Sequence, residues 1–207
     1  MMNEIFHESE RLVRALLAIV EPSAIDSERA RIADTACSLS IEHWHAVRGL
    51  LELELLPSAL VVHRAQFESL VRCVWLTWSA REEDLAKLTA TLDLESEQAA
   101  KNMPTVALMM QAIQEKAPPA AYAALNLFKE HNWKALNSYT HAGIHPLRRH
   151  ADGYPTALTH DVLRNTNGVG VMSCMQAVVL NRKQPLQKDI LTIAARHPIC
   201  IPPMTRP

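Results

Sequence analysis

Apolar residues recur at helical spacing along nearly the whole chain, carried mostly by Leu, Ala and Val, with only 5 Gly to interrupt them. Over 4–20, Ile5, Leu12, Val13, Leu16, Leu17 and Val20 fall on one side and Glu8, Glu10, Arg11 and Arg14 elsewhere. That pattern predicts an amphipathic helix stopping before Glu21-Pro22. Asp26 or Ser27 then caps a longer helix whose apolar face holds Ile32, Ala36, Leu39, Trp44, Val47, Leu51 and Leu55, ended by Pro57. One of His43 and His45 is expected to face its interior as a hydrogen-bonded packing residue. Ser58 caps a third helix reaching Trp78 that is apolar almost all round, the mark of a central helix.

A short exposed helix is expected from Arg81 towards Leu92, then, over 96–103 and 105–116, one helix kinked around Pro104 or two short ones. Pro118-Pro119 breaks the chain before a helix over 120–140, for which Gly143 suits a left-handed C-terminal cap and Pro146 prevents continuation. Residues 147–158 read as a loop. Thr159 caps a helix over 161–181, where Gly168 and Gly170 lack the pattern of a phosphate-binding loop and mark a close helix crossing. Pro185 precedes a last helix over 186–196. The sum is an all-α protein, an antiparallel helical bundle in one domain over 1–197, with a Pro-rich, extended and partly disordered tail over 198–207.

Composition narrows what such a bundle can be. At 207 residues and 48% hydrophobic it can bury a substantial core. Charges interrupt every apolar run short of the roughly 20 residues that span a bilayer, and the first ten residues are acidic where a signal peptide is basic. No membrane contact and a cytoplasmic location are therefore expected. The four Cys (37, 73, 174, 200) lie far apart with no metal-ligand spacing, so they read as free thiols, and neither metal nor cofactor is expected. Signatures of nucleophilic hydrolases, nucleoside triphosphatases, metalloproteases and di-iron bundles are absent. The net charge of −1 is uneven: residues 1–100 hold 9 Lys and Arg against 17 Asp and Glu, residues 101–207 hold 12 against 5. Either the halves attract each other, within the fold or across a homodimer, or the second half binds anions.

Two places concentrate chemistry. In the central helix, Arg64, Glu68 and Arg72 stand four residues apart on one stripe, as an ion-pair ladder or as the polar wall of a pocket. In the stretch 135–150, Asn137, Ser138, Tyr139, His141, His145, Arg148, Arg149 and His150 cluster where a helix runs out. His141 near a helix C-terminus is a candidate general acid or base, Arg148 and Arg149 are candidate phosphate contacts, and Tyr139 and Tyr154 can stack a base. The alternative is that His141 bonds Glu68 or Asn137 and locks two helices together.

The central-helix run from His63 through Trp75, with its Arg64-x-x-x-Glu68 spacing, and the later Ser138-x-x-His141-x-Gly143 segment together resemble a group of bacterial helical proteins of unknown function. These are allied by fold to the HEPN (higher eukaryotes and prokaryotes nucleotide-binding) domains. The resemblance spans roughly residues 40–180. It implies a helical bundle, often dimeric, that binds nucleotides or RNA, and whose active members are metal-independent ribonuclease toxins of defence systems. Those members use an Arg-x4-6-His motif, and none of the ten His here follows an Arg at that spacing. The expected site is therefore His141 and Arg64 as the catalytic pair, with Glu68, Asn137, Ser138, Tyr139, Arg148 and Arg149 holding the substrate. The competing expectation is a helical interaction or dimerisation module whose polar cluster is structural.

Overall fold

The computed structural model describes residues 2–20 and 27–203, with the backbone alone at residues 2, 3, 95, 99 and 100. No strand occurs among them, in keeping with the expected all-α class. The helices are α1 (Met2–Leu17), α2 (Glu28–Glu52), α3 (Leu56–Trp78), α4 (Glu82–Thr89), α5 (Leu94–Ala100), α6 (Val106–Lys116), α7 (Pro119–Thr140), α8 (Ile144–Asp152), α9 (Thr156–Leu180) and α10 (Gln187–Ala195), the last preceded by a 3-10 turn. None is long and apolar enough to cross a membrane.

α2 and α3 form a tight hairpin, the most intimate pairing in the molecule. Ser27 caps α2 by accepting from Ala30 N at 3.2 Å, while the alternative cap, Asp26, and the Glu21-Pro22 stop lie outside the described residues. The hairpin turns at Glu54, whose φ is 60°, and α3 starts earlier than Ser58, with Pro57 in its first turn. Proline fits there because that turn has no partner for its N–H. At the far end Arg29 of α2 donates to the carbonyls of Leu76 and Ala80, both at 2.9 Å, so the two helices run antiparallel.

α9 crosses the open side of this hairpin, antiparallel to α2. Its crossing with α2 is close because Gly170 has no side chain: a Cβ there would lie 2.3 Å from the Trp44 ring. Trp44, Phe67, Trp75 and Leu136 are all buried, as the apolar pattern requires. Leu39 and Leu55, assigned to the same face of α2, are instead exposed, and of the two His on that helix His43 is half-buried and His45 exposed. α6 and α7 cover the other flank of α3, and α1 and α10 pack on α9.

The chain beyond α7 departs most from expectation. Residues 147–158 are not a loop: α8 occupies the first half of them, and α9 begins at Thr156, after Pro155, three residues before Thr159. Pro146 does not stop a helix; it sits in the first turn of α8, where a missing N–H costs nothing. The left-handed position after α7 is Ala142 (φ 49°), not Gly143, whose φ of −74° any residue can adopt. Glycine is needed at 143 for space, since a Cβ would lie 2.6 Å from Ser138 Oγ. The segment after α10 is held down as far as Pro202, which packs against Gly168. Cys200 and Ile201 are buried, Asn167 Nδ2 donates to Cys200 O at 2.7 Å and Arg164 Nε to Ile199 O at 3.0 Å. Residues 204–207 lie outside the description.

Candidate functional site

Because α7 runs back along α3, its C-terminal end arrives beside the first half of the central helix. There Arg64 Nη2 pairs with Glu68 Oε1 at 2.9 Å, one turn along α3, and Nη1 donates to His141 Nε2 at 3.4 Å. The guanidinium also lies over the Trp133 ring, 5.1 Å from its centroid, a favourable cation–π placement. Only 19% of the Arg64 side chain is exposed. A guanidinium keeps its proton, so this contact requires a lone pair on His141 Nε2. Arg72 continues the stripe: burial lowers its pKa and the Glu68 carboxylate beside it works the other way. Of the eight site residues proposed from sequence, Arg64, Glu68 and His141 thus meet in one knot.

The neighbours of His141 do something else. Asn137 contributes its backbone carbonyl, which accepts from His141 N at 3.1 Å. Ser138 shapes the turn: its carbonyl accepts from Gly143 N at 2.7 Å and its hydroxyl from His145 N at 3.2 Å, capping α8. Tyr139 is buried and stacked on His145, with ring planes 13° apart and centroids 6.4 Å apart. Burial raises the pKa of its phenol, with the Arg149 charge opposing the shift.

α8 carries the remaining cations on the surface. None of its residues is buried; Arg148 Nε stands 3.6 Å from Asp152 Oδ2, and Arg149 and His150 are exposed. His145, Arg148, Arg149, Ile144 and Asp152 line a shallow recess of about 260 Å³. The site therefore has two layers, an inner knot around Arg64 and an outer basic helix, hinged at His141. Among the described residues no group of three or more His, Cys, Asp or Glu is placed to hold a metal ion, and the four Cys are free and buried.

Two participants escaped the reading of the sequence. Trp133 lies in the apolar pattern of α7, yet it precedes His141 by about two turns of the same helix, which puts both on the face that meets Arg64. His63 is the other: it is fully buried, donates through Nδ1 to Gln66 Oε1 at 2.8 Å, and burial pulls its pKa down to about 4. Gln66 in turn donates to Thr166 O at 3.0 Å, joining α3 to α9.

Comparison with known proteins adds a family and no activity. Residues 37–203 match a family of unknown function, DUF6988. The chain belongs to this family. The match takes in both layers of the site and every helix from α3 to α10, and nothing in it links the DUF6988 family to HEPN domains or to a bacterial source. No curated protein and no solved structure matches the chain.

Proposed function

We propose that the α7–α8 corner binds a phosphate-bearing ligand, RNA or a nucleotide, on a HEPN-like bundle that works in the cytoplasm. The observation supporting this reading is the exposed cationic surface of α8, where Arg148 and Arg149 line a recess with His145 on the helix that follows the exposed His141. Arginines free to reorganise are what a phosphate needs. Arg64 is not one of them: Glu68 balances its charge and Trp133 covers one face, so its part is to position His141. If a bound RNA is cleaved, His141 is the group to move the proton, through the ring nitrogen that Arg64 does not occupy. A ribonuclease-toxin role in a defence system rests on that step alone.

The test is binding of a single-stranded RNA oligonucleotide at two salt concentrations. Wild type is expected to bind, and to lose affinity steeply as salt rises, because phosphate contacts release counterions. Arg148→Ala with Arg149→Ala should lose most of the affinity, whereas His141→Ala should keep it and lose any cleavage. Absent or salt-independent binding by the wild type removes the proposal.

A second reading has its own observation. Ile144 and Leu147 of α8 are 70% and 64% exposed, an apolar pair amid charges that suits a protein partner or a second copy of the chain. Ile144→Ser with Leu147→Ser, which adds no charge beside Arg148 and Arg149, would then abolish self-association seen by sedimentation.

A further inference from the structure

α7 and α9 both flank α3 without packing closely on each other. Near the corner site one hydrogen bond ties them, from Asn165 Nδ2 to Asn132 Oδ1 at 3.1 Å. Towards the opposite end they leave a groove of about 280 Å³, with Val74 and Trp78 of α3 on its floor, Ala121 and Ala124 of α7 on one wall, and Met172 and Met175 of α9 on the other. Small residues on α7 keep this space open where Leu or Phe would fill it.

We propose that the groove is a binding site for a neutral, largely apolar small molecule carrying one hydrogen-bonding group. Among the described residues the lining contains no Asp, Glu, Lys, Arg or His, although 21% of the chain is charged, so the wall complements a ligand without charge. Its volume lies near the lower end of small-molecule sites, and methionine walls adapt to a shape better than branched side chains do. Gln176 supplies the buried polar contact, where Gln184 of the same lining is exposed and Gln187 half-buried: its Nε2 donates to Thr77 Oγ1 at 2.9 Å, and its carbonyl end is left to accept from a ligand. The segment after α10 does not compete, because it docks near Gly168 at the middle of α9. A three-walled recess also fits a compact molecule better than the broad face a second copy needs.

The probe is N-phenyl-1-naphthylamine, which is neutral and fluoresces when it leaves water, compared with its anionic relative 8-anilinonaphthalene-1-sulfonate. Wild type should show saturable binding of the neutral probe, and at least about tenfold weaker binding of the sulfonate. Ala121→Phe, which fills the groove, should weaken the neutral probe by at least about tenfold at unchanged melting temperature. Ala124→Phe, at a more exposed position, serves if the first variant folds poorly. Arg148→Ala with Arg149→Ala should bind the probe as wild type does, which separates this site from the corner. The proposal is overturned if wild type shows no saturable binding, if the sulfonate binds equally well, or if both Phe variants bind unchanged. It is also overturned if probe binding falls as protein concentration rises, since a second copy is then the occupant.

Discussion

Ser40, Gln66, Thr166, Asn167 and Ser173 are polar and fully buried, whereas His141, Arg148 and Arg149 are polar and open to solvent. Along the seam of α2, α3 and α9 the buried groups answer one another. Ser40 Oγ bonds Ser173 Oγ and Gln66 O, both at 2.9 Å. Asn167 Oδ1 accepts from Trp44 Nε1 at 2.9 Å and from Ser9 Oγ at 3.0 Å, while its amide donates to Cys200 O. At the α7–α8 corner the inner group, Arg64, has partners at both Nη atoms and buries its Nε without one, but the outer cations face water or a single carboxylate. A polar group buried without a partner costs about 1–3 kcal/mol, and among the described residues of the seam His63 Nε2 alone bears that cost, so the seam is polar because the rest of it is paired, and it fixes how three helices register. Exposed cations bear no such constraint and are available to a ligand.

The seam should therefore be costly to damage. Trp44 fills the crossing at Gly170 and donates to Asn167, so Trp44→Ala is expected to lose about 3–5 kcal/mol, read from denaturant melts. A loss below about 1 kcal/mol would mean that the crossing is soft, and the contrast with the corner would fall.

Protonation tests the same seam more gently. His63 has its pKa lowered by burial to about 4, so between that value and its ordinary 6.5 the unfolded chain binds a proton that the folded chain does not. Stability should then rise with pH across that window and be complete above it, with a slope of at most about 1.4 kcal/mol per pH unit from this group. Melts from pH 4 to 7 of wild type and His63→Asn should show the slope shrink in the variant. Equal slopes would mean that His63 reaches water in the native state.

These two regions were also unequally legible. Helical periodicity sufficed for the core aromatics and for the Gly170 crossing, because both follow from one side of a helix being apolar. Glu68 and Arg64 were readable for a similar reason, as neighbours one turn apart. The polar seam was not, since Gln66 meets Thr166 across 100 residues and neither has a local signature that separates a buried amide from a solvated one. α8 was misread as loop because its Pro and basic residues look like punctuation when the preceding turn is unknown; the Ala142 turn, with Ser138 as its cap, is what lets a new helix start there. Which of the eight candidate residues face solvent depended on that turn as well.

The smallest effects fall at the corner, and they decide whether its inner knot belongs with the seam. Arg64 makes an ion pair with Glu68 at the edge of solvent and covers Trp133, contacts typically worth about 0.5–1 kcal/mol each. Arg64→Ala should cost about 1–2 kcal/mol, Glu68→Gln less than about 1, and His141→Ala, which loses only a long hydrogen bond at an exposed ring, about 0.5 or less. A double-mutant cycle on Arg64 and Glu68 should return a coupling near 0.5 kcal/mol that shrinks as salt rises. Coupling of several kcal/mol, insensitive to salt, would show the knot to be as buried as Asn167, and His141 would then be a structural residue instead of the hinge of a binding surface. The expected small values leave His141 free to be held for ligand, because the knot orients it without being needed to keep the bundle folded.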